Sequence, residues 1–463
     1  MIDRLPSGDR RLDDILNGGL LKNAINLIVG IPGSGKTILS QQVVFRNATP
    51  DHPALYLSTL SEPLDKILRY GESLKFFDPQ AIRDGRIIYE DMGQALREHG
   101  LDEVLTAVDR YLKQLKPGIV VFDSFVSFHA MSRDSTEFGH FLYSLMRRLT
   151  ASATTSIWNA PYSREQAVGA PEFAVADAIV ALDMKQIAER EIRVLQVLKL
   201  RGSAYRSGEH AYRISDTGIT VFPRLADVRD LARYNLAERR TATGIKALDD
   251  LLGEGGYWSG ATTLVAGPSG IGKTLMGLHF LYHGAEVDEP GVLATFQENE
   301  TQLSRIVGGF GWSIDNPKVH VMSRGMVDLN IDEWVYELMD LVESTGSKRV
   351  VVDSLADLQV GSGDRTRFRE WISSLTQRFT RAGISLMLIV EVPHLFQIDR
   401  LSDEAISHLA DNVVLLQYVQ EGAELGRALT ILKTRAMRHR PMVHRYEITR
   451  NGFELGDVLA ISR

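Results

Sequence analysis

The chain has 463 residues, enough for two or three domains with sizeable cores, so a peptide or a stapled mini-protein is excluded. Hydrophobic residues make up 44% and charged residues 24%, a globular composition, and Cys 0 removes disulfides, thiolate metal sites and thiol nucleophiles. Lys+Arg 52 against Asp+Glu 59 gives a formal net charge of -7, which does not support a chain-wide basic face for nucleic acid.

No apolar stretch like that of a signal peptide opens the sequence and no run of about 18 apolar residues follows, so a cytoplasmic protein with no membrane contact is expected. In chain order, short apolar runs alternate with helix-period segments. Candidate strands lie at 24–29, 54–58, 118–122, 155–158 and 178–182, and 193–200 and 210–221 read as antiparallel strands appended to a parallel core. The pattern then repeats at a nearly constant offset. Gly8, Leu12 and Asp13 recur as Gly244, Leu248 and Asp249; GIPGSGKT recurs as GPSGIGKT; IVVFDS recurs as VVVDS; and LKLRG recurs as LKTRA. Two homologous α/β domains are expected, 1–230 and 236–463, each a mainly parallel sheet flanked by helices with a C-terminal β-hairpin extension.

The pattern G-x-x-x-x-G-K-[ST] stands twice between an apolar strand and an amphipathic helix, as Gly30, Gly33, Ser34, Gly35, Lys36 and Thr37, and as Gly267, Gly270, Ile271, Gly272, Lys273 and Thr274. Such a loop curls backbone N–H groups round phosphates, its lysine reaches the β- and γ-phosphates and its hydroxyl ligates Mg²⁺, so ATP and Mg²⁺ are the expected cofactors. Asp123 and Asp353 end apolar strands downstream, where a carboxylate serves the metal. TLSEPLDKI aligns without gaps on TFQENETQL, which places Glu62 on Glu298 as candidate general bases, or else as caps of the following helices. Lys199 with Arg201, and Lys433 with Arg435, stand two residues apart on a strand and share a face. In a ring of subunits such a pair can reach a nucleotide bound next door and stabilise charge on the transferring phosphoryl group.

On these residues the chain resembles the KaiC family of RecA-like ATPases in its tandem form. The likeness is carried by Gly8–Asp13 and Gly244–Asp249, both phosphate loops, Thr295–Glu298, the strand at Val414–Tyr418 and the LKLRG finger. It implies two RecA-like P-loop domains, a homo-hexamer with ATP between subunits, slow hydrolysis, a signalling or timing role, and a regulatory protein partner that is KaiB-like or a signalling kinase. It also implies phospho-acceptors in the second domain: Ser407-His408 aligns with the Ser-Thr pair of clock members, and Ser402 with a further acceptor, while the first domain has Phe173 and Ala174. Clock members carry two adjacent glutamates where this chain has Ser61-Glu62 and Gln297-Glu298, so hydrolysis is expected to rest on Glu62 and Glu298 alone.

Two other readings share this fold. A recombinase- or helicase-like DNA-dependent ATPase would use a channel loop, and 361–381 offers Arg365, Arg367, Arg369, Arg378 and Arg381. Against it stand the acidic total and the first copy's 131–148, which mixes Asp134 and Glu137 with its arginines; a solvated helix face is the preferred reading. A nucleotide-gated scaffold with little hydrolysis is motivated by Ser61 and Gln297.

Overall fold

The computed structural model describes residues 3–59, 64–163, 166, 169–187, 190–225, 239–253, 255–296, 298–325, 329–362, 365–392, 409–421, 423–435 and 441–459. The chain divides into two compact units, Met1–Asp227 and Val228–Arg463.

In the first unit a 9-stranded sheet is built round the phosphate-loop strand Ile25–Gly30. Parallel neighbours extend on one side through Thr155–Ala160, Ile119–Asp123, Ala54–Ser58 and Ile87–Asp91, and on the other lies Ala178–Ile187. The continuous apolar runs in these strands mean burial on both faces, and helices cover both. Lys36–Asn47 packs on one face; Gly93–Leu115 and Ser135–Ala151 cover the other, over Phe122, Phe125, Phe128 and Trp158. The sheet continues antiparallel through Arg190–Leu200, His210–Ser215 and Gly218–Phe222. The stretch expected as one strand at 210–221 is thus two, because Asp216-Thr217 turns the chain back on itself.

The second unit repeats this order. Thr262–Gly267 is central, flanked by Ser385–Glu391, Arg349–Asp353, Gly291–Thr295 and Val319–Ser323 on one side and Asn412–Glu421 on the other. The antiparallel extension is Glu424–Thr434, Val443–Thr449 and Gly452–Val458. Side chains before the helices end the loops cleanly: Asp134 caps Ser135–Ala151 and Asn330 caps Ile331–Thr345. Among the described residues no helix is long and apolar enough to cross a membrane.

Candidate functional site

Each phosphate loop leaves the C-terminal end of its strand and closes into a helix at a left-handed glycine, Gly35 at φ 94° and Gly272 at φ 109°. An L side chain there would be strained and would also collide, since a Cβ on Gly35 would lie 2.7 Å from Ile214 Cδ1 and one on Gly272 2.8 Å from Ile448 Cδ1. Ser34 and Ile271, the residues before these glycines, are buried.

The lysines fold back on their own loops. Lys36 Nζ donates to Gly30 O at 2.8 Å and Ile31 O at 3.0 Å, and Lys273 Nζ donates to Pro268 O at 2.8 Å. Burial pulls both ammonium groups below the usual lysine range, against the pull of Asp123 in one domain and of Glu391 and Asp353 in the other. A phosphate would therefore meet cations held close to the loop and poorly hydrated.

The expected threonine–aspartate partnership forms twice. Thr37 Oγ1 donates to Asp123 Oδ2 at 2.7 Å, and Thr274 Oγ1 to Asp353 Oδ2 at 2.6 Å. A hydroxyl and a carboxylate in contact are hard oxygen donors of the kind Mg²⁺ takes, so the residues present fit that ion. The peptide after each aspartate, Asp123-Ser124 and Asp353-Ser354, is cis.

The surroundings of the two aspartates differ. Asp123 also accepts from Tyr56 Oη at 2.7 Å. No tyrosine occupies that place in the second domain, where the matching residue of the strand Gly291–Thr295 is Leu293. Burial lifts the Asp353 carboxyl to about 6; the Thr274 bond opposes this, and Glu298, Lys273 and Asp357 add smaller effects of which only that of Lys273 lowers it.

Glu298 lies close enough to exert that effect and is free of capping duty. The helix Glu300–Gly309 is capped by Asn299, whose side chain accepts from Gln302 N at 2.9 Å in a complete capping box. The Glu298 carboxylate instead accepts from Thr295 Oγ1 at 2.7 Å. Glu62 lies outside the described residues, as do Ser402 and Ser407. The strand ladders revise the gapless alignment of this region: Ser58 pairs with Asp123 as Thr295 pairs with Asp353, so Thr295 matches Ser58 and not Thr59. Counted along the chain, Glu298 is the third residue after its strand and Glu62 the fourth, one residue out of step where a loop begins.

The cationic pairs are not near their own phosphate loops. Lys199 Nζ donates to Phe173 O at 3.1 Å and Ala174 O at 3.2 Å, and Arg201, one residue past its strand, bridges to Asp177 Oδ1 at 3.0 Å. Lys433 Nζ donates to Ala410 O at 2.7 Å and Arg435 to Asp411 Oδ1 at 3.2 Å. Burial, then the neighbouring arginine, lowers both lysines. Asp177 and Asp411 use their other oxygen to accept from Ile25 N and Thr262 N, each at 3.0 Å. Those amides open the phosphate-loop strands, and the loops leave the far ends at Gly30 and Gly267. Six residues of strand separate the two ends, roughly 16 Å.

Five site residues escaped the sequence reading, among them Tyr56 on Asp123. Asp177 and Asp411 stand 24 residues before their arginines in both copies, a recurrence that could have disclosed them. Tyr212 and Tyr446 donate to Ser34 O and Ile271 O, each at 2.6 Å, across most of a domain, and local spacing gives no hint of it. The arginine-rich stretch 361–381, a candidate channel loop above, contains the helix Arg365–Arg381, with Phe368, Trp371, Ile372, Leu375 and Phe379 buried on one face and Arg367 paired with Asp332.

Comparison with known proteins agrees with this geometry. The KaiC ATPase family profile matches residues 5–226 and again 241–458. Circadian clock oscillator protein KaiC 1 of Synechocystis sp. is 26% identical over 464 aligned residues, 96% of this chain and 87% of the relative. Circadian clock oscillator protein KaiC of Nostoc sp. is 25% identical over 468 residues, at 96% and 87% coverage. Circadian clock protein KaiC3 of Synechocystis sp. is 26% identical over 473 residues, at 98% and 92%. With two phosphate loops, two threonine–aspartate pairs and a family match to each half, the chain belongs to the KaiC family of ATPases, as a tandem of RecA-like domains.

Proposed function

We propose that the protein binds Mg-ATP at both phosphate loops, hydrolyses it slowly, and passes its nucleotide state to regulatory protein partners. The observation that carries this reading is the doubled contact of Thr37 with Asp123 and Thr274 with Asp353 beside a complete phosphate loop. Lys36 and Lys273 would exchange their loop carbonyls for phosphate oxygens. Bound Mg²⁺ would neutralise charge on the transferring phosphoryl group. Thr37, Asp123, Thr274 and Asp353 would hold that ion, and Glu298 would orient and deprotonate the attacking water, with Glu62 in the same role in the first domain.

Because Arg201 and Arg435 are tethered at the end of the sheet away from their own loops, the cations that reach a γ-phosphate would come from a neighbouring subunit. This favours a closed ring, a homo-hexamer, with Lys199 and Arg201, and Lys433 and Arg435, completing the neighbour's sites. Transfer of phosphate to Ser407 or Ser402 is a further activity of the second domain on this reading. The DNA-motor reading loses support because the stretch it needs as a channel loop is largely a helix packed along its apolar face.

Native mass spectrometry after incubation with Mg-ATP, run beside a phosphate-release assay, tests the proposal. A hexamer loaded with nucleotide and releasing phosphate is expected; a monomer that binds none would overturn it. Covalent phosphate on the second domain would add the autokinase step, and a loaded hexamer that releases no phosphate would leave a gated scaffold.

A further inference from the structure

The tyrosines Tyr212 and Tyr446 occupy the same place in the two domains, on the middle strand of the antiparallel extension. Both are almost wholly buried, at 4% and 1% exposure, yet each hydroxyl is committed to one acceptor. That acceptor is the carbonyl of the residue before the last glycine of the phosphate loop, Ser34 O or Ile271 O, at 2.6 Å in both domains. Two residues along the same strand face, Ile214 and Ile448 press their Cδ1 atoms over that glycine. One strand therefore fixes both halves of one peptide unit, twice in the chain.

A trans peptide is planar and its C=O and N–H point in opposite directions. Holding Ser34 O toward Tyr212 aims the N–H of Gly35 away from the extension, and holding Ile271 O toward Tyr446 does the same for Gly272. The glycines that follow tolerate other φ and ψ, so without the hydroxyl this peptide can turn over at little steric cost. Turned over, it would present a carbonyl where an anion cradle needs a donor.

We infer that Tyr212 and Tyr446 are positioning residues for the nucleotide: their hydroxyls hold the Ser34–Gly35 and Ile271–Gly272 peptides with N–H groups facing the phosphates. The inference rests on the nucleotide-binding reading above and adds to it a part of the antiparallel extension that touches no phosphate itself.

The test is Tyr212→Phe and Tyr446→Phe, singly and together, each removing one oxygen and keeping the ring in its packing. Binding of ATP, ADP and inorganic tripolyphosphate is titrated by calorimetry on the full chain, with the thermal midpoint recorded alongside. A hydrogen bond to a charged group is strong enough that its loss weakens binding about tenfold or more. The expected result is such a loss, confined to the substituted domain's sites, and seen with tripolyphosphate as with ATP because the contact involves phosphate and not base. KM for ATP hydrolysis should rise more than kcat falls. A lower thermal midpoint with unchanged affinity for all three ligands would make the hydroxyl a structural bond only and overturn the inference. The wild-type titration separates the two levels: no binding by wild type removes the nucleotide reading and this inference with it, whereas tight wild-type binding unaffected by either phenylalanine removes this inference alone. Should one phenylalanine variant fail to fold, as far-ultraviolet circular dichroism would show, the other tests the inference in its own domain, and wild-type affinity there overturns it.

Discussion

The buried ring of His279 ties part of the second domain's stability to pH. The imidazole, 8% exposed, accepts from Phe453 N at 3.1 Å through Nε2, and burial depresses it to about 4. The folded state therefore keeps the ring neutral while the unfolded chain takes up a proton below about pH 6.5. Stability contributed by the neutral ring is whole above that pH, declines as pH falls toward 4, and amounts at most to about 3 kcal/mol. The first domain does the same job with Gln42, whose side chain accepts from Ile219 N at 2.8 Å and donates to Ile219 O. His279→Gln should thus keep the fold and flatten the fall of the thermal midpoint between pH 6.5 and 4.5; an unchanged pH profile would show that the ring is not the group that titrates. Also at this scale, Glu298→Gln should cut phosphate release by the second domain roughly 10²- to 10⁴-fold with nucleotide affinity nearly kept, the signature of a lost base. Lys36→Ala and Lys273→Ala should each abolish nucleotide binding in their own domain, read as a halved stoichiometry in calorimetry.

At the level of elements, the strand that leads into each Lys-x-Arg pair ends where an aspartate holds the arginine and the first amide of the phosphate-loop strand together. Asp177 thereby couples Arg201 to Ile25, and Asp411 couples Arg435 to Thr262. If these arginines act on a neighbour's γ-phosphate, Arg201→Ala and Arg435→Ala should lower kcat by about 10³-fold while changing affinity far less. Equal losses in both would point to ground-state contacts. The two phosphate loops were legible because backbone geometry demands their glycines at that spacing, and the strand-end aspartates because each closes an unbroken apolar run. Strand positions were legible too, since buried parallel strands are written as unbroken apolar runs. What stayed hidden were bonds between distant residues: Tyr56 on Asp123, Tyr212 on Ser34, Tyr446 on Ile271. A buried aromatic in a strand reads as core, and only the folded sheet reveals where its hydroxyl ends. Glu298 was ambiguous for the opposite reason, because a carboxylate before a helix is also a good cap, and the neighbouring Asn299 settled which residue took that task.

For the whole molecule, duplication has kept the phosphate-binding parts alike and let their surroundings drift. Asp123 is steadied by Tyr56 and Thr37, whereas Asp353 shares its buried corner with Glu298 and Thr274. Two such domains in one chain give two loops and two cationic pairs, each pair tethered at the end of the sheet away from its own loop, and on the proposed reading a neighbouring subunit completes each site. The central claim is that a neighbour completes the site. It is tested most directly by mixing two inactive forms, one bearing Lys36→Ala and Lys273→Ala, the other Arg201→Ala and Arg435→Ala, and measuring phosphate release while native mass spectrometry reports co-assembly. In mixed rings the first form lends its arginines to the intact loops of the second, so activity should appear that neither form shows alone. Mixed rings that release no phosphate would contradict the account and return the arginines to their own subunit.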